Sequence, residues 1–177
     1  MDTNLKRQKT LASLLYICKN SPDGERDLYS LLKILYFAEK EHLLKFGRTI
    51  TGDTIVAMKY GPVLSFAYDS LKPANVDKKY FDVEDDVVEA LQEPDMNYLS
   101  ESDIACLFKS ISENKDLNFP QLKNKSHDGS YNEAWAKSPN SPISYEQIAR
   151  HAGANDEFVK YINTCQENDS LALNGTW

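Results

Sequence analysis

Few side chains in this sequence stand at spacings that chemistry uses. Glu39 and His42 lie three residues apart in a segment with helical periodicity, the spacing of carboxylate–histidine metal sites in helix bundles. Such a site needs a second Glu-x-x-His on a partner helix, and the sequence has none. A solvent-facing ion pair or hydrogen bond where the helix leaves the core is the plainer reading. His127 precedes Asp128 in the polar stretch Ser126-His127-Asp128-Gly129, and a histidine beside a carboxylate can act as a general base. It can equally hold its loop against the core, and no nucleophile is paired with it. Asp53 follows Gly52 in the turn-like Thr51-Gly52-Asp53, where an aspartate ordinarily caps or shapes a turn. Lys59 and Tyr60 precede Gly61-Pro62, read here as a helix start whose free N–H groups would suit an anion. His151 stands at an expected helix end, an ordinary place for an imidazole.

Cys18, Cys106 and Cys165 are widely spaced, form no CxxC and read as idle thiols. Walker A, GxGxxG, GxSxG and HExxH patterns are absent. The residues therefore predict no catalytic group, no metal and no cofactor. Ten tyrosines favour an interaction protein, because tyrosine offers large contact area at low entropic cost. Tyr36 falls in an apolar run and belongs to the core, whereas Tyr60, Tyr131 and Tyr145 fall near turns and are the better surface candidates.

Periodicity supplies the elements that must position these groups. Leu5, Leu11, Leu14, Leu15 and Cys18 predict an amphipathic helix over residues 4–19. The basic residues before its apolar run resemble a signal sequence, but no small-x-small cleavage site follows. Between Leu28 and Ala38 only Ser30 and Lys33 are polar, so the helix Leu28–Phe46 should be surrounded by other elements, with Gly47 ending it. The β-branched residues of 48–60 predict a short hairpin turning at Thr51-Gly52-Asp53, followed by a helix from Pro62 that Pro73 stops. Residues 80–83 and 87–91 flank Glu84-Asp85-Asp86 as a second hairpin. Ser100 with Asp103 reads as a capping box, Ser144 opens a helix, and Asn155 caps a last one. Short helices are expected at 119–125 and around Trp135. The stretch 166–177 lacks periodicity and reads as a flexible tail to a domain spanning 1–165. The expected fold is mainly α (α+β), one compact helical domain with one or two small β-hairpins.

A chain of 177 residues buries roughly 70 % of its unfolded surface and needs no disulfide or metal to fold. The net charge of −7 disfavours nucleic-acid and anionic-membrane partners, and with them a transcriptional regulator. With 41 % hydrophobic residues and a mean hydropathy of −0.54, neither disorder nor a membrane span is expected.

The stretch Leu32-Lys33-Ile34-Leu35-Tyr36-Phe37-Ala38-Glu39-Lys40-Glu41-His42-Leu43 resembles the Panacea-domain proteins, the SocA-like antitoxins. Their pattern runs K-L-L-Y-F-A-D, then H-L, G, G-D, A and G-P-V. The matching residues are Lys33, Leu35, Tyr36, Phe37, Ala38, His42, Leu43, Gly47, Ile50, Gly52, Asp53, Ala57, Gly61, Pro62 and Val63. Glu39 stands where the family commonly has aspartate, which keeps the charge. A looser later pattern is similar to Leu99-Ser100, Ser126-His127 and Trp135. The resemblance implies a small cytoplasmic antitoxin that binds a cognate protein toxin without catalysis or cofactor. In one variant of the activity the antitoxin is an adaptor that delivers the toxin to a AAA+ protease. Tyr36, His42, Gly52, Asp53, Lys59, Tyr60, Gly61, Pro62, His127 and Trp135 are then structural or partner-binding, and a homo-oligomer stays open. The competing reading is an enzyme that uses Asp53, His42 or His127 in a cleft, which requires those side chains to converge.

Overall fold

A computed structural model describes residues 1–173, with side chains to Asp169. Helix α1 (Thr3–Lys19) leads through a turn into a short strand, β1 (Glu25–Asp27), and then into α2 (Leu28–Phe46). Asp27 caps α2 by accepting from the Ser30 amide at 2.8 Å, and Gly47 closes it at φ 71°, a left-handed conformation that favours glycine. Because α2 is apolar on nearly every side, it can only be stable at the centre. It packs against α1 on one side and against α4 (Glu101–Asn114) and α5 (Phe119–Ser126) on others. Leu31, Ile34, Leu35, Tyr36 and Ala38 have no exposed surface.

Two small sheets flank this helical core. Strands β2 (Ile55–Met58) and β3 (Gly61–Leu64) form an antiparallel hairpin in which Ala57 opposes Pro62. Chain 140–143 runs along the other edge of β2, where the Ala57 amide donates to Ser141 O and the Ile143 amide to Ile55 O. Strands β4 (Phe81–Glu84) and β5 (Val87–Ala90) form the second hairpin, and β1 adds to it in the order β1-β5-β4. The chain ends in α6 (Gly129–Lys137), α7 (Tyr145–His151) and α8 (Asp156–Leu173). The mainly helical architecture and the two hairpins expected from periodicity are present.

Two local expectations need correction. The first hairpin turns at Lys59-Tyr60, not at Thr51-Gly52-Asp53, and Gly61-Pro62 opens strand β3, not a helix. The helix α3 (Ser65–Ser70) begins three residues after Pro62 because its cap is distant in sequence: Asp53 accepts from the amides of Phe66 at 3.1 Å and Ala67 at 3.0 Å. At the other end of the chain α8 runs on to Leu173, into the stretch expected as tail, while residues 174–177 lie outside the described part.

Candidate functional site

The polar residues of the motif separate into three clusters, each with its own structural partners. Glu39, fully buried on α2, accepts from the amides of Ile50 at 2.6 Å and Thr51 at 3.0 Å, and from the Thr51 hydroxyl at 2.5 Å. These bonds hold the 48–54 loop against α2. Burial pushes the Glu39 carboxyl up to about 7, against the pull of its three donors. Asp53 continues the same loop, accepting from Thr54 as well as from the start of α3, and burial raises it too. Gly52, at φ 68°, permits the turn between them.

His42 points elsewhere. Its Nδ1 lies 2.8 Å from Arg48 O, and its Nε2 lies 3.0 Å from Ser102 Oγ and 3.1 Å from Asp103 Oδ1. Asp103 also accepts from Lys9 Nζ at 2.5 Å and from the Ser100 amide at 3.0 Å. Burial would raise Asp103, but the hydrogen bonds from His42 and Lys9 outweigh it and hold the carboxyl well below the usual range. Glu39 and His42, three apart in sequence, therefore serve different neighbours. No group of three or more His, Cys, Asp and Glu side chains is arranged to hold a metal ion among the described residues.

The third cluster surrounds the tip of the β2–β3 hairpin. Three successive alternate carbonyls there accept from side chains: Met58 O from Tyr131 Oη at 3.0 Å, Tyr60 O from Tyr29 Oη at 2.9 Å, and Pro62 O from Lys33 Nζ at 2.5 Å. Gly61, at φ 104°, lets the backbone pass close above Lys33. A Cβ at this position would lie 2.6 Å from Ser126 Oγ and 3.0 Å from Lys33 Nζ. His127 closes the C-terminus of α5 and stacks on Tyr131 at 4.1 Å, with Trp135 stacked beyond it at 6.1 Å. The Asp128 carboxylate makes no hydrogen bond to the His127 ring. It caps α6 through the Tyr131 amide and binds Ser130, Lys40 and, at 3.4 Å, the buried Tyr36 hydroxyl. Burial, with the Lys123 and Lys33 cations, holds His127 below the usual imidazole value.

Beside this hairpin a groove of about 740 Å³ opens, lined by Tyr29, Leu32, Lys33, Met58, Tyr60, Phe119 and Trp135 among others. Tyr29 and Phe119 meet at 4.4 Å between ring centroids, and Tyr60 and Phe119 at 5.8 Å. Of the ten residues singled out from the sequence, Lys59, Tyr60, Gly61 and Trp135 line this groove, while Pro62 and His127 stand behind it. Tyr36, His42, Gly52 and Asp53 do not line it, and His42 and Asp53 are tied to separate partners. Sequence reading passed over Lys33 as a site residue, although a single lysine in the run Leu28–Ala38 is itself a signal.

The family model described as antitoxin SocA-like, Panacea domain, matches residues 31–136, more than half of the chain. The chain belongs to this family. No curated protein and no solved structure matches it. The Panacea match takes in the three polar clusters except for Lys9 and Tyr29, and most of the groove; Asp27, Leu28, Tyr29, Pro139 and Asn140 of the lining lie just outside it. Much of the Panacea pattern thus has a structural basis here: Asp53 caps α3, Gly61 clears Lys33, and Glu39 (where the pattern commonly has aspartate) anchors a loop. Among the described residues no helix is long and apolar enough to cross a membrane.

Proposed function

We propose that the protein is the antitoxin of a bacterial or phage toxin–antitoxin pair and neutralises a cognate protein toxin in the cytoplasm by direct binding. Membership of the SocA-like family supports the toxin partner. The observation that carries direct binding is the aromatic patch at the mouth of the groove, where Tyr60 is 49 % and Phe119 44 % exposed. Large aromatics held half-exposed on a rigid frame are the residue types that dominate binding energy at protein interfaces. Their frame is rigid because the Tyr60 carbonyl and its neighbours on the hairpin are tied to Tyr29, Lys33 and Tyr131. Glu39, His42, Asp53 and Asp128 are hydrogen-bonded within the fold, whereas the buried Nε2 of His127 has no hydrogen-bond partner among the described residues.

The test is co-expression with the product of the neighbouring reading frame. The neighbour alone should arrest growth, this protein should restore it, and the two should co-purify. Tyr60→Glu with Phe119→Glu should abolish rescue and co-purification while leaving the helical spectrum unchanged. A harmless neighbour, or one that remains lethal beside this protein, overturns the reading. Rescue that disappears in a host lacking its AAA+ proteases would replace stoichiometric neutralisation with toxin delivery.

A further inference from the structure

Lys33 is an anomaly among the buried charges. Only 1 % of its surface is exposed, and no carboxylate of a described residue lies within ion-pair distance of it. An ammonium has three donors, and a single acceptor, the Pro62 carbonyl, is bonded to Nζ. The Tyr29 ring lies 5.1 Å away and adds a weak cation–π contact. A buried lone cation costs stability, so an anion that completes its coordination would be bound strongly. By contrast, Lys9, the other buried lysine, is fully engaged by Asp103 and Tyr98 O.

The surroundings define what kind of anion fits. Lys33 lines the aromatic groove, whose volume of about 740 Å³ falls within the range of small-molecule sites. Tyr29, Leu32, Met58, Tyr60, Phe119 and Trp135 would cover an apolar body. At the mouth Lys59 and Lys123 lie 5.3 and 5.8 Å from the Tyr60 ring centroid, and neither forms an ion pair with a described residue. Asp27 and Asp86 also line the groove, and Asp27 is engaged in capping α2. Their charge would repel an anionic head from their part of the lining and leave Lys33 as its seat.

We propose that this groove is a binding site for a free small molecule with an apolar body and one anionic head, the head bonded to Lys33 Nζ and the body on the aromatic wall. This inference does not rest on the antitoxin reading, although Tyr60 and Phe119 belong to both surfaces.

The test uses two probes that share an anilinonaphthalene-type body. 1-Anilinonaphthalene-8-sulfonate carries the anion, and N-phenyl-1-naphthylamine does not. The wild-type chain should bind one molecule of the sulfonate per chain, about tenfold or more tighter than the neutral probe, as a charge-assisted hydrogen bond provides. Lys33→Met should remove that preference and keep the neutral probe. In a Trp177→Phe background, energy transfer from Trp135 should report the bound sulfonate at the groove wall. Decanoate should displace the sulfonate, whereas a blocked peptide presenting glutamate between leucine and phenylalanine should not. Equal affinity of wild type for both probes, or an undiminished preference in Lys33→Met, overturns the site. Displacement by the peptide and not by decanoate overturns the small-molecule occupant in favour of a protein segment. Should Lys33→Met fail to fold, the wild-type preference and the displacement series decide the matter alone.

Discussion

At the residue scale, burial separates groups that serve the fold from one that costs it stability. Burial pushes Lys33 down to about 7, so below that pH the folded chain carries the buried ammonium, and above it favours the neutral amine while the unfolded chain stays protonated to its ordinary value near 10.5. Between those two values the unfolded state binds more protons, and stability rises with pH. The Lys33→Met variant is expected to be more stable than wild type at pH 6 by on the order of 2 kcal/mol, and to lose the rise between pH 7 and 10. Urea unfolding at pH 6 and 9 measures both; a variant less stable at pH 6 would show that the Pro62 hydrogen bond outweighs the buried charge. Glu39 behaves differently, because it has three donors where Lys33 has one acceptor. Glu39→Gln leaves part of that set mismatched and should cost about 1–3 kcal/mol, read from the same unfolding curves. The sequence spacing of Glu39 and His42 suggested a solvent-facing pair, but both side chains are buried. Both project from α2, but the 48–54 loop takes Glu39 and the start of α4 takes His42, a division set by tertiary packing that spacing alone does not carry.

At the scale of elements, what was legible depended on how far apart in sequence the interacting groups lie. The capping boxes of Ser100 with Asp103 and of Ser144 with Gln147, and the Asn155 cap on Phe158, close over three residues and were readable as patterns. The start of α3 was not, because its cap sits 13 residues before Phe66 and 14 before Ala67. Pro62 looked like a helix start but lies in a strand, where its carbonyl serves Lys33. Strand β1 was invisible for a similar reason. Glu25-Arg26-Asp27 has no apolar alternation, and its partners Val87, Val88 and Glu89 come some sixty residues later. The candidate site shows the same limit: Tyr60 was readable as a surface residue, but so was Tyr131, which is buried, and the assembly of Tyr60 with Tyr29, Lys33, Phe119 and Trp135 into one groove was not readable. Asp53→Ala tests the distant cap. It should cost about 1–2 kcal/mol and raise hydrogen exchange at the amides of Phe66 and Ala67 before the rest of the core. Unchanged protection at those amides would assign the start of α3 to packing instead.

At the scale of the whole molecule, one carboxylate joins three helices. Asp103 on α4 binds Lys9 of α1 and His42 of α2, with Arg48 Nη1 at 3.4 Å, and its side chain has no exposed surface. Its carboxyl is held well below the usual value near 3.8, so the folded state keeps it ionised where the unfolded chain would take up a proton. The contribution to stability is therefore present in full above about pH 4 and is lost as the pH falls below it. Asp103→Asn keeps the shape but leaves Lys9 buried without its counter-charge, a loss of about 3–5 kcal/mol at neutral pH. Because that loss is already taken at pH 7, the acid limb of the variant should be shallower than that of wild type between pH 4 and 2. Circular dichroism followed through acid titration measures it. An acid limb of equal steepness in the two proteins would show that other carboxylates set the acid transition, and that the α1–α2–α4 junction is held by its apolar contacts with the charges merely accommodated.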